Sequence, residues 1–130
     1  LSLAAFRQRR NLVIVLLGGQ LSPREEAFLR ALVQEEPAIR GETAELLLVT
    51  TAPPEGAQAL SHRLGRPLLT DPEAALRQAL LGGETPDTGL GVLVVDRYGE
   101  IYAVHRPGDG PPRVGEILEW LRFIELQCPE

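Results

Sequence analysis

Gly91-Val92-Leu93-Val94-Val95-Asp96-Arg97-Tyr98-Gly99-Glu100-Ile101-Tyr102-Ala103-Val104-His105 reads as a strand, a turn and a second strand. Gly91 to Val95 is apolar and rich in β-branched residues, and Ile101 to His105 extends again. Asp96-Arg97-Tyr98-Gly99 between them is short and carries glycine where a positive φ is wanted, so the strands form a hairpin. Arg106 to Pro112 is a loop, and a helix follows from about Arg113 to Leu126. The C-terminal half is therefore a ββα unit.

Upstream, Asn11 to Leu17 is an unbroken apolar run that Gly18-Gly19 ends. Without polar alternation it reads as a strand buried on both faces, hence central in its sheet. Ser22-Pro23-Arg24-Glu25 is a capping box with proline at the first helical position. The helix it opens runs to about Glu36, where Pro37 stops it, with Phe28, Ala31 and Leu32 on one face. Glu45 to Thr51 is a second buried strand. Pro53-Pro54-Glu55 opens a second helix ending near Gly65, and Arg66 to Leu69 is a short extended piece. Thr70-Asp71-Pro72-Glu73 starts a third helix that ends at Gly82-Gly83, before a loop over Glu84 to Thr88. The first half is a βαβ unit with a right-handed crossover. The expected sheet has four strands in the order 45–51, 11–17, 91–95, 101–105, helices on both faces, and only the last two pairings antiparallel. A hairpin in an otherwise parallel chain argues against a doubly wound α/β sheet.

The chain has 130 residues, one domain's worth, and buries about two-thirds of its unfolded surface at that size. The Leu12 to Leu17 run is far too short to span a bilayer, and no signal peptide is visible. The chain opens on Leu1 rather than methionine, which leaves an upstream leader open. A formal net charge of −5 argues against general nucleic-acid binding. All 13 basic residues are arginine, so Schiff-base chemistry and the lysine of a P-loop are excluded. The one cysteine, Cys128, can make neither an internal disulfide nor a cysteine-based zinc cage. No cofactor, metal, nucleic-acid or membrane partner is expected, and the reading is of a cytoplasmic protein.

Three segments carry a resemblance. Ser2-Leu3-Ala4-Ala5-Phe6-Arg7-Gln8-Arg9-Arg10-Asn11 leading into Leu12-Val13-Ile14-Val15 is similar to the lead-in of peroxiredoxins and alkyl hydroperoxide reductase-type proteins. So are Leu69-Thr70-Asp71-Pro72-Glu73 and Val94-Val95-Asp96-Arg97-Tyr98-Gly99-Glu100-Ile101. The chain thus resembles the peroxiredoxin-like (alkyl hydroperoxide reductase/thiol-specific antioxidant) branch of the thioredoxin superfamily over nearly its whole length, apart from an N-terminal strand pair the family usually carries. The resemblance implies an α/β thioredoxin-like fold over 1–130 and, in intact members, thiol-dependent peroxidase activity.

It also implies where the chemistry should sit, at the N-terminus of the first helix. There the dipole and backbone N–H groups stabilise a thiolate. Members often read C-P-x-C-R-E-E; this chain reads Gln20-Leu21-Ser22-Pro23-Arg24-Glu25-Glu26. Gln20 therefore stands where the peroxidatic cysteine belongs and Pro23 where a resolving cysteine would be. Neither side chain forms a nucleophilic anion. The family's helper threonine corresponds to Leu17, its earlier proline to Val13 and its cis-proline to about Leu90. Its peroxide-polarising arginine has no match beside that position, where Gly89 stands.

Other residues have plainer readings. Gly18-Gly19-Gln20 makes a strand-to-helix turn; as a ligand cradle it would use Gly19, Gln20 and Ser22. Ser22 as a nucleophile needs a base, and the two histidines, His62 and His105, lie near an exposed helix end and on an edge strand. Cys128 lies beyond the last helix and Asp96 is a turn residue. Arg7, Arg9 and Arg10 are a solvated strand entrance or face an acidic partner. On the last helix Val114, Ile117, Leu118, Leu121 and Ile124 form the core arc, Trp120 sits at its edge and Phe123 points nearly opposite. Trp120 and Phe123 are thus candidates for a homodimer or partner contact.

Three functional readings follow. The first is a domain of peroxiredoxin descent without thiol chemistry, serving as a binding or interaction module. The second is a redox protein whose thiols come from a missing segment or a partner. The third is a small-molecule binder at the Gln20 hollow.

Overall fold

Asn11–Leu17 forms β1, and all of its residues are buried. The computed structural model describes residues 10–18, 21–70, 90–106 and 112–127. Within them β1 is followed by α1 (Pro23–Gln34), α2 (Glu36–Gly41), β2 (Ala44–Thr50), α3 (Pro54–Leu64), β3 (Leu69–Thr70), β4 (Leu90–Val95), β5 (Ile101–His105) and α4 (Val114–Gln127).

The sheet order is β3-β2-β1-β4-β5. β1 runs parallel to β2, with Asn11 opposite Ala44 and Leu17 opposite Thr50. It runs antiparallel to β4, with Leu12 opposite Val95 and Leu17 opposite Leu90. β4 and β5 form the antiparallel hairpin, with a register shift between Val94 and Val95. The expected order and strand directions are those observed. The expected strand count is corrected from four to five, because Leu69 and Thr70 pair with Val49 and Thr50. A two-residue strand is too short to leave an alternating pattern in sequence.

The stretch after Gln34 is a second correction. Pro37 does not simply end a helix; it lies in the first turn of α2. A proline there needs no N–H partner, so the break at Glu35 becomes a restart. The other predicted start holds as drawn, since Ser22 and Glu25 form the reciprocal capping box of α1. Gly65 ends α3 in the left-handed region, at φ 68. Gly99 supplies the positive φ of the hairpin turn, where the Asp96 carboxylate accepts from Tyr98 N and Glu100 N.

Burial divides by strand parity. Val13, Val15 and Leu17 face a large core with Leu29 and Leu32 of α1, Ile39 of α2, Leu60 and Leu64 of α3, and Ile117, Leu121 and Ile124 of α4. Leu12, Ile14 and Leu16 face a second cluster with Val49, Leu93 and Val95. Every described helix packs on the first face. The helix expected over 71–82 falls outside the described residues. β1 is thus the doubly buried central strand that its sequence indicated.

Candidate functional site

The C-terminal ends of β1 and β2 meet beneath the start of α1. Thr51 N donates to Leu17 O at 3.2 Å, and the buried Thr50 hydroxyl accepts from Ala52 N at 3.0 Å. The chain leaves β1 through buried Gly18 and re-enters helix at Ser22. Ser22 Oγ accepts from Glu25 N at 3.2 Å, and Glu25 Oε1 accepts from Ser22 N at 2.8 Å. The first turn is therefore closed on itself, with Pro23 presenting no N–H. Gly19 and Gln20, the other members of the expected cradle, lie outside the described residues.

The charge at this helix start is negative. Glu25 and Glu26 both occupy the first turn, where carboxylates are favoured by the helix dipole. Glu26 accepts from Arg30 at 2.8 Å and reaches Arg63 of α3 at 3.3 Å. Hydrogen bonding from Arg30 first, then Arg63, holds its carboxyl below the usual range. The groove between α1 and α3 is thus bridged by an ionised carboxylate between two guanidinium groups.

The remaining sequence candidates scatter. Ser22 hydrogen-bonds neither histidine: His62 is exposed on α3, and His105 Nε2 approaches Glu116 Oε2 of α4 at 3.1 Å. Cys128 lies outside the described residues, as do Arg7 and Arg9, while Arg10 pairs with Glu45 at 3.4 Å. Among the described residues no three His, Cys, Asp or Glu side chains gather as metal ligands, and no helix is long and apolar enough to cross a membrane. Trp120 and Phe123 do come together. Their rings meet edge to face at 5.8 Å, and Phe123 meets Tyr102 at 6.2 Å while staying 44% exposed. A hollow of about 400 Å³ is lined by Glu116, Glu119, Trp120 and Phe123. The two glutamates escaped the sequence reading; their signal was the i, i+3, i+4, i+7 spacing with the aromatics on one helix face.

No protein-family model matches the sequence, and no curated protein does. Solved structures do match its fold. A cysteine-to-serine mutant of PrxQ from Xylella fastidiosa superposes with a TM-score of 0.80 at 16% identity, over 95% of this chain and 82% of that one. The reduced 2-Cys peroxiredoxin of Plasmodium vivax gives 0.80 at 16% identity, over 98% and 72%. The bacterioferritin comigratory protein of Xanthomonas campestris, described for its alkyl peroxide reduction activity, gives 0.78 at 16%, over 95% and 85%. This is a peroxiredoxin-like thioredoxin fold.

On that fold, Leu17 and Leu90, which the sequence resemblance places at or near the family's helper groups, are core. Leu17 and Leu90 lie opposite each other across β1 and β4, and both are buried in the main cluster with Val13. A hydroxyl at Leu17 would enter an apolar cluster, so this end of the peroxiredoxin-like sheet is built for packing.

Proposed function

We propose that this chain is a single thioredoxin-like domain of peroxiredoxin descent that has lost thiol chemistry and works as a cytoplasmic binding or interaction module, with Trp120 and Phe123 in its contact surface. One observation carries the reading. The residues matched to the helper threonine and cis-proline, Leu17 and Leu90, are paired and buried as apolar core, beside a helix start whose first turn holds Glu25 and Glu26. A thiolate raised there would lack the hydroxyl of a helper threonine, since Leu17 offers only an apolar side chain in the core. The sequence supports it further: Gln20 stands in the cysteine position, and the chain's one cysteine is Cys128.

The test is peroxide decay with excess dithiothreitol, comparing the native chain with Cys128→Ser. The expected rate is that of buffer in both. Turnover well above buffer that vanishes in Cys128→Ser would return the protein to the enzymes. Gain of peroxide reactivity in Gln20→Cys would support the position assignment, because the backbone around it would have outlived its nucleophile.

A further inference from the structure

The hollow on α4 sets carboxylates beside aromatic rings. Glu116, Glu119, Trp120 and Phe123 line it. The rings stand nearly perpendicular, at 88°, so one aromatic face meets the other's edge. Glu116 is already engaged by His105 at 3.1 Å. Glu119 is exposed and has no ion-pair partner among the described residues. One turn beyond Phe123, Leu126 is 79% exposed. The helix therefore presents a carboxylate, an aromatic corner and an apolar step in sequence along one strip.

We infer that this strip is a docking site for an arginine-bearing segment of a partner polypeptide, the guanidinium seated between Glu119 and the Trp120–Phe123 corner and an apolar neighbour resting near Leu126. Guanidinium fits both halves of the site. It is planar and weakly hydrated, it stacks on aromatic faces, and it forks onto a carboxylate. An ammonium holds its water more tightly and lacks the flat face. Charge complementarity comes from Glu119 at the hollow, and the chain's formal net charge of −5 adds a general attraction for cations. The inference rests on the reading of Trp120 and Phe123 as a contact surface; it is independent of the loss of thiol chemistry, which peroxide decay tests separately.

Trp120 is the chain's one tryptophan, so emission reports on this one side chain, which lines the hollow and also packs against the main core. The experiment titrates the whole chain with blocked Gly-Arg-Leu, and with the same peptide carrying citrulline or lysine in place of arginine. The expected result is a saturable change in Trp120 emission with the arginine peptide. Binding should weaken about threefold or more with citrulline, which keeps the shape and loses the charge, and similarly in Glu119→Gln. Glu119 is exposed, and unchanged circular dichroism verifies that the variant folds. Four outcomes would each overturn the inference: no response to the arginine peptide, equal binding of citrulline, free guanidinium binding as tightly as the peptide, or a sedimenting dimer that shields Trp120.

Discussion

The Asn11 side-chain amide donates to the Glu125 carboxylate at 3.2 Å, tying the first residue of β1 to the last turn of α4. Asn11 Oδ1 accepts from Arg97 N at 3.0 Å, and the Arg97 guanidinium pairs with Glu125. Asn11, Arg97 and Glu125 thus close a triangle linking the central strand, the hairpin turn and the final helix. Asn11 is fully buried. Replacing it with alanine leaves the Arg97 N–H without an acceptor and frees part of Glu125. Asn11→Ala should cost about 1–3 kcal/mol, measured as a lower urea midpoint at unchanged slope. A cost within about 0.3 kcal/mol would mean that water replaces the amide.

Ser22→Ala tests the capping reading of a residue that also stands in the expected ligand cradle. Loss of the hydroxyl removes the acceptor of Glu25 N, a change worth about 1 kcal/mol. Restoring an acceptor with Ser22→Asp should recover most of it in thermal unfolding. Failure of aspartate to rescue would show that the hydroxyl has another role.

Thr43 sits at φ 57, the one non-glycine residue with positive φ among the described residues. A β-branched side chain there is strained by about 1–2 kcal/mol. Its hydrogen bonds among the described residues are backbone ones: Thr43 N donates to Arg40 O, and Asn11 N donates to Thr43 O. Glycine keeps both, at an entropic cost of about 0.5–1 kcal/mol. Thr43→Gly should raise the melting temperature by about 2–4 °C. A fall instead would mean that the threonine side chain contributes more than the strain removes.

Glu26 makes stability depend on pH in a stated direction. Its carboxyl is lowered from 4.5 by Arg30 and Arg63. The stabilisation is therefore full above the unfolded value and is lost as pH falls through the folded one. The pairs are solvent-facing, so Glu26→Gln should cost about 0.5 kcal/mol at pH 7. The difference between native and variant should shrink to nothing in strong acid, and high salt should reduce it. An undiminished difference at acid pH would assign the loss to packing.

Much of this fold was legible because its signals are local. The Asn11–Leu17 run, the Ser22–Glu25 box and the Asp96–Gly99 turn each name their own geometry, and pairing follows from them. The signals that failed were too short or ambiguous. Leu69–Thr70 has no period, and Pro37 either stops a helix or starts one depending on the residues before it. At the candidate site the sequence offered an expectation, Gln20 and Pro23 standing where the resemblance places reactive side chains, and Gln20 lies outside the described residues. That Leu17 and Leu90 face each other in the core needed the register of β1 on β4. The Glu116–Glu119–Trp120–Phe123 strip was half read, because aromatics off the core arc attract notice while surface glutamates do not.

The pairing of β1 on both sides also has a consequence for the chain as it is made. β2 can join β1 once residue 50 has left the ribosome, but Leu12 must wait for Val95. At about 5–20 residues per second that wait lasts several seconds. Throughout it, a strand that is apolar from Leu12 to Leu17 has one open edge in a crowded cell. The nascent N-terminal half should therefore be bound by chaperones until β4 emerges, and a chain stalled before Leu90 should be cut by protease where the finished protein resists.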